Sequence, residues 1–222
     1  MKAEMLTATQ RPTRSTYGII LLLLVLALIF LVPMFPAGAH QVLYNILLTG
    51  ILVSAALSVE RARKRIFIIA MSAVVAEWLS YILDLPAITT ISQTIQFLYF
   101  ILIVISLIAQ VATTRRVTAR VIVESISGYL LMGIVFSLII GIVARNADSA
   151  YSFGGVTSVP EGLSDFIYFG FVTFTTLGYG DVVPLIPASR SIAVMASVTG
   201  QIYLTVIIAM LVGKFLSSSR EG

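Results

Sequence analysis

Long apolar runs parted by short polar connections constrain this chain most. Residues 17–36, 43–59, 66–83, 95–112, 121–143 and 192–215 are each long and apolar enough to cross a hydrocarbon core, which takes about 17–25 residues of helix. Inside lipid a backbone must satisfy its own N–H and C=O groups, and a helix does so within one segment. Only 11% of the 222 residues are charged, against roughly 25% in a soluble domain, so a soluble fold and a disordered chain are both excluded. The expected fold class is an all-α integral membrane protein with six transmembrane helices. A seventh apolar piece, residues 166–175, is too short to span and reads as re-entrant.

Basic residues set the orientation. With the N-terminus inside, Lys2, Arg11, Arg14, Arg61, Arg63, Lys64, Arg65, Arg115, Arg116, Arg120, Lys214 and Arg220 lie on the cytoplasmic side, twelve of the fourteen Lys and Arg. Only Arg145 and Arg190 fall outside. Both termini are therefore expected in the cytoplasm, and the host membrane is expected to be the plasma (inner) membrane. A cleaved signal peptide ending at the small "AGA" of 37–39 is the alternative for the first span, but the apolar run exceeds the roughly 7–15 residues of a signal core. Topology also accounts for the net charge of +4 without nucleic acid. The absence of cysteine removes disulfides and thiolate metal sites. The chain divides near Arg115–Arg120 into a four-helix peripheral domain, residues 1–116, and a unit of span, re-entrant segment and span, residues 117–222.

Between the last two spans lies "TFTTLGYGDVVP", residues 173–184, polar and glycine-bearing in membrane-grade surroundings. Ser164 is placed to cap the short helix that precedes it, with Asp165 in the first turn, where the helix dipole favours a carboxylate. Gly178 and Gly180 open backbone conformations closed to other residues. Non-helical backbone at membrane depth is tolerated when it is buried in protein or lines water. Carbonyls aimed into a narrow aqueous path can replace the hydration shell of a cation, and the C-terminal end of the short helix favours a cation at the same place.

The run "TTLGYGD" resembles the selectivity signature of the potassium channel superfamily, usually written TVGYG followed by Asp. The resemblance covers residues 120–216. It implies that the carbonyls of Thr176, Leu177, Gly178 and Tyr179 coordinate potassium ions, with the Thr176 hydroxyl completing the innermost site. Gly180 then falls on the second filter glycine, Asp181 on the acid behind the outer mouth, and Thr175 on the threonine ending the pore helix. Leu177 replaces the family's valine, its side chain expected to pack behind the filter. Tyr168 and Phe169 stand where some members carry two tryptophans; Tyr168 can donate a hydrogen bond toward the filter and Phe169 cannot. The family's pore takes four such loops, so a homotetramer with cyclic symmetry is implied.

The last span fits the same resemblance. Gly200 follows Asp181 by nineteen residues, the place of the family's inner-helix hinge glycine. Gln201 is costly against lipid unless it faces water or a partner. Gln201, Leu204, Thr205, Ile208 and Val212 form one face, read as the cavity lining, with Ile208 and Val212 as candidate lower gate. On the fifth span Gly133, Ser137 and Gly141 recur every four residues, a stripe that permits close helix packing.

Four spans ahead of a pore unit resemble voltage-gated channels, yet residues 95–112 hold no arginine, so steep voltage gating is not expected. Glu77 is an acid within a span and a candidate intramembrane sensor; its alternative is an interfacial Glu beside the belt aromatics Trp78 and Tyr81. Arg61, Arg63, Lys64 and Arg65 are a topology signal and a candidate anionic-lipid site. His40 is read as a loop histidine. No nucleophile–base pair, metal cluster or nucleotide loop points to an enzyme, and no organic cofactor is implied. The leading expectation is a passive, tetrameric potassium-selective channel. A weakly selective cation pore and a non-conducting membrane sensor of pore-like fold are the alternatives.

Overall fold

The computed structural model describes residues 12–58, 63–83, 86–114, 118–147, 149–153 and 163–220. The chain is mostly helical and forms two compact units, divided between Gly128 and Tyr129. Among the described residues three helices are long and apolar enough to cross a membrane: Thr16–Met34, Ala119–Asn146 and Pro187–Lys214. Val42–Ser58, Ile66–Ala76, Phe97–Val111 and Leu163–Phe174 are shorter apolar helical stretches.

In the first unit, helix α1 (Pro12–Leu26) opens on a proline, whose missing N–H costs nothing in a first turn. It widens to a π turn at Ala27–Leu31 and closes in a 3-10 turn, Val32–Met34. Pro33 explains that ending: it has no N–H to donate, and its ring crowds the carbonyl four residues back. Helices α2 (Ala37–Ser58), α3 (Arg63–Leu83) and α4 (Pro86–Thr113) follow, each packed on its predecessor. Leu21 and Val25 on α1 with Leu28 in the π turn, and Leu48, Ile51, Leu52 and Ala55 on α2, are buried at helical spacings, one face of each helix. The buried Tyr99 of α4 donates its hydroxyl to the Leu52 carbonyl of α2 at 2.6 Å, so the phenol keeps a partner inside the bundle. Trp78 donates its indole N–H to Thr49 Oγ1 at 3.1 Å.

Helix α5 (Ala119–Asn146) runs from the first unit into the second. Near its start Glu124, 3% exposed, is paired with Arg120, whose Nε lies 2.6 Å from Oε1. A buried carboxylate without such a partner would be strongly destabilising.

The second unit continues with strand β1 (Tyr151–Phe153), helix α6 (Leu163–Phe174), strand β2 (Val182–Pro184) and helix α7 (Pro187–Arg220). Helix α6 lies in the small-residue groove of α5. A Cβ on Gly133 would meet Phe171 at 2.6 Å, and one on Gly141 would meet Phe166 at 3.0 Å. Between them a Cβ on Gly170 would lie 2.1 Å from Ser137 Oγ. In lipid there is little hydrophobic drive between helices, so this backbone-close packing is what holds them. Phe174, fully buried, gathers Tyr129, Phe136 and Phe171 at ring separations of 4.8, 5.9 and 6.5 Å.

Two details differ from the sequence-based expectation. Helix α6 begins at Leu163, so Ser164 lies within its first turn rather than before it. A two-stranded antiparallel sheet, with Tyr151 opposite Pro184, Ser152 opposite Val183 and Phe153 opposite Val182, adds to the all-α reading. Pro184 has no ladder donor, which suits the end of a strand. Helix α7 starts with Pro187 in its first position, and Ser189 Oγ accepts the Ile186 N–H at 3.2 Å, one half of a capping box.

Candidate functional site

The glycine run begins where α6 ends, and the way α6 ends shapes it. Phe171 O accepts both the N–H and the hydroxyl of Thr175, at 2.9 and 2.7 Å. Thr173 O accepts the Thr176 N–H at 3.0 Å. Val172 O then accepts two consecutive donors, the N–H groups of Leu177 at 3.0 Å and Gly178 at 3.1 Å. The last carbonyls of α6 are thus satisfied by the chain that leaves it, as helix ends require.

Thr176 has φ +63, the left-handed conformation that commonly terminates a helix and is usually taken by glycine. For a β-branched residue this is strained, on the order of 1–3 kcal/mol, and it persists where the surroundings enforce it. Gly178 at φ +57 and Gly180 at φ +80 share that hand, while Leu177 and Tyr179 between them do not. Alternating hands turn successive N–H groups to one side of the chain. A trans peptide sets its carbonyl opposite its N–H. With the N–H groups of Leu177 and Gly178 both aimed at Val172, the carbonyls of Thr176 and Leu177 face away from α6. At Gly178 and Gly180 nothing lies within 4 Å of where a Cβ would stand, so conformation, not space, requires glycine.

Side chains fasten the run at its far end. Tyr168 on α6 donates its hydroxyl to Asp181 Oδ2 at 2.5 Å, and Asp181 Oδ1 accepts the Val182 N–H at 3.0 Å. Both bonds end on a carboxylate and are of the stronger, charge-assisted kind. Phe169, by contrast, is buried against Tyr151, with ring centroids 5.3 Å apart. Thr175 through Asp181 are all exposed in the single chain, Leu177 at 56% and Tyr179 at 67%. The Leu177 side chain is therefore not packed behind the run within one chain.

Helix α7 grips the end of the run nearest α6. Ser197 Oγ donates to Thr173 O at 3.0 Å, and Gln201 Nε2 donates to Thr176 Oγ1 at 3.1 Å. Between them a Cβ on Gly200 would lie 2.1 Å from Phe174 O, so this glycine is where the α7 backbone meets the end of α6. Thr205 donates its hydroxyl to the Gln201 carbonyl at 2.8 Å, bonding within its own helix. Leu204, Thr205, Ile208 and Val212 are exposed, while Ala196, Gly200, Tyr203 and Ile207 are buried. Gln201 alone of the expected lining face reaches the glycine run.

Ser197 and the doubly accepting Val172 were not picked out from sequence. The recurrence of polar side chains at 197, 201 and 205 was a signal for the first; nothing local marks the second. Arg61 lies outside the described residues. Glu77 and Arg63, Lys64 and Arg65 lie in α3, and their side chains are likewise outside the description. His40, in the first turn of α2, bonds the Phe35 carbonyl through Nε2 at 2.7 Å.

Comparison with known proteins bears on the second unit. Residues 147–217 match the family model described as Ion channel. The chain is also similar to potassium channel K1 of Plasmodium berghei (strain Anka), with 32% identity over 71 residues. That alignment covers 28% of this chain and 4% of the relative, so the chain spans a small fraction of the curated protein it matches. No solved structure matches. The family match and the distant relative support ion-channel function in a membrane protein.

Proposed function

We propose that this protein is a potassium-selective channel assembled as a homotetramer, conducting passively through a backbone-carbonyl filter formed by Thr176, Leu177, Gly178 and Tyr179. The observation that carries the reading is the glycine run. Its alternating hands and its N–H groups tied to Val172 leave the Thr176 and Leu177 carbonyls facing away from α6. Four such runs around an axis would present oxygen rings able to replace the water around a cation. The exposure of Leu177 and Tyr179 and of the α7 residues Val194, Met195, Val198 and Ile202 fits surfaces that neighbouring copies cover.

In this reading Thr175, Gly180, Asp181 and Tyr168 support the filter. Gly200 and Gln201 sit at its inner end, and Leu204, Thr205, Ile208 and Val212 line the path below, with Ile208 and Val212 as the constriction. The same reading takes six spans per chain, both termini in the cytoplasm as the distribution of basic residues suggests, and the plasma membrane as host. Arg61, Arg63, Lys64 and Arg65 are a candidate site for anionic lipid, and Glu77 is a candidate intramembrane sensor in the peripheral domain. Potassium ions are the cargo.

The test is reconstitution of the purified chain, with reversal potentials measured in mixed potassium and sodium. A potential close to that of potassium is expected. Equal permeability would favour a weakly selective pore, and an absence of flux would favour a non-conducting sensor.

A further inference from the structure

On the proposed function, Thr176 is the innermost cation ligand. A hydroxyl has one hydrogen to donate and two lone pairs to accept with. The carboxamide of Gln201, 3.1 Å away, takes one lone pair of Thr176 Oγ1. That contact restricts the hydroxyl rotor and leaves the second lone pair for a cation. Without a donor at 201 the rotor would be free to turn toward a backbone carbonyl of α6, as the neighbouring Thr175 hydroxyl does toward Phe171.

The same contact braces a strained backbone. Thr176 holds φ +63 against the preference of a β-branched side chain. Its N–H is fixed by Thr173, whose carbonyl also accepts the Ser197 hydroxyl. Ser197 and Gln201 stand one turn apart on α7, and Gly200 presses the same face against Phe174 O. Helix α7 is therefore bolted at three points to the end of α6 and the first residue of the run. Of the three, only Gln201 reaches a side chain that would touch an ion.

We propose that Gln201 is a positioning residue for the innermost cation site: its carboxamide orients the Thr176 hydroxyl and makes that site depend on the placement of α7. A rotation of α7 that withdraws the amide removes the oriented oxygen and leaves the outer carbonyl rings intact. Occupancy at the inner mouth is thereby coupled to the helix that would carry a gate.

The experiment uses the full chain in planar bilayers, with potassium made limiting on one side at a time. Gln201→Leu should raise the half-saturating potassium concentration on the cytoplasmic side by about fivefold, the scale of one neutral hydrogen bond, and leave the outer side within about twofold. Thr176→Ala should do the same, and Gln201→Leu should add nothing on that background. A cytoplasmic half-saturation left unchanged, equal shifts on both sides, or additive effects of the two substitutions would each overturn the proposal. If Gln201→Leu does not assemble, Gln201→Asn, polar but shorter by one methylene, carries the same comparison. A wild-type chain that fails to select potassium defeats the filter reading and this inference with it. A selective wild type with an indifferent Gln201 defeats the inference alone.

Discussion

The hydroxyl of Tyr168 donates to the carboxylate of Asp181 at 2.5 Å, joining the middle of α6 to the residue that follows the glycine run. With Asp181 Oδ1 occupied by the Val182 N–H, the bond fixes one end of the run to a helix and to a strand at once. Tyr168→Phe keeps the ring and removes the donor. Reversal potentials in mixed ions should show potassium preference over sodium reduced by about threefold or more, as befits loss of a charge-assisted bond. Asp181→Asn should act alike, and the double variant should be no worse than the worse single one. Independent, additive effects would show that the two residues act separately.

Gly200 offers a test of packing against flexibility. A Cβ there would sit 2.1 Å from the Phe174 carbonyl oxygen, whereas Gly213 on the same helix has nothing within 4 Å. Gly200→Ala should destabilise the purified protein by about 1–3 kcal/mol, the usual cost of overpacking. Gly213→Ala should be neutral or stabilising by up to about 1 kcal/mol, since alanine is the better helix former. Thermal unfolding in detergent measures both. Equal responses would mean that this glycine supplies helix flexibility rather than close approach.

At Gly178 space is free and the backbone is the constraint, so alanine meets a conformational penalty of about 1–2 kcal/mol and no clash. Gly178→Ala should therefore abolish or degrade potassium selectivity with little change in the thermal stability of the helices around it. Unaltered selectivity would remove the run from the conduction path.

Leu177 contributes its N–H to Val172 and its carbonyl to the outward face, and neither depends on the side chain. Leu177→Val should leave the reversal potential in mixed potassium and sodium where it is. A clear gain in selectivity would instead show that the longer, γ-branched side chain loosens the run once neighbouring copies cover it.

The helices were legible because a long apolar run in lipid has helix as its one open-chain solution; the described residues of the expected runs are helical except at Phe35 and Pro36, where the first run ends. The glycine run stood out because glycine pairs and threonines are out of place in such company. Other features depend on how elements lie on each other. The β1–β2 pairing joins Tyr151 to Pro184 through three-residue strands, too short for alternation to show. Sequence pointed to Gly200 through its distance from Asp181 and suggested a hinge; the approach of Phe174 O supplies a different physical reason for glycine there. Glu124 was passed over inside its apolar run, although Arg120, four residues earlier, was the local sign of a pair.

Helix α4, Pro86–Thr113, contains no Lys, Arg, Asp or Glu along its 28 residues. A charge that crosses the full membrane potential gains about 2.3 kcal/mol per 100 mV, and steep gating sums several such charges in each of four subunits. A helix without charges contributes nothing to that sum however far it moves. Arg115 and Arg116 follow α4 in sequence and lie outside the described residues. Conductance in bilayers should therefore vary gradually with voltage, with less than about one elementary charge per chain moving on opening. Neutralising the pair as Arg115→Gln with Arg116→Gln should leave that shallow slope unchanged. A steep sigmoid in the wild type, flattened by the pair of substitutions, would place the sensor at those arginines and refute the voltage-indifferent reading.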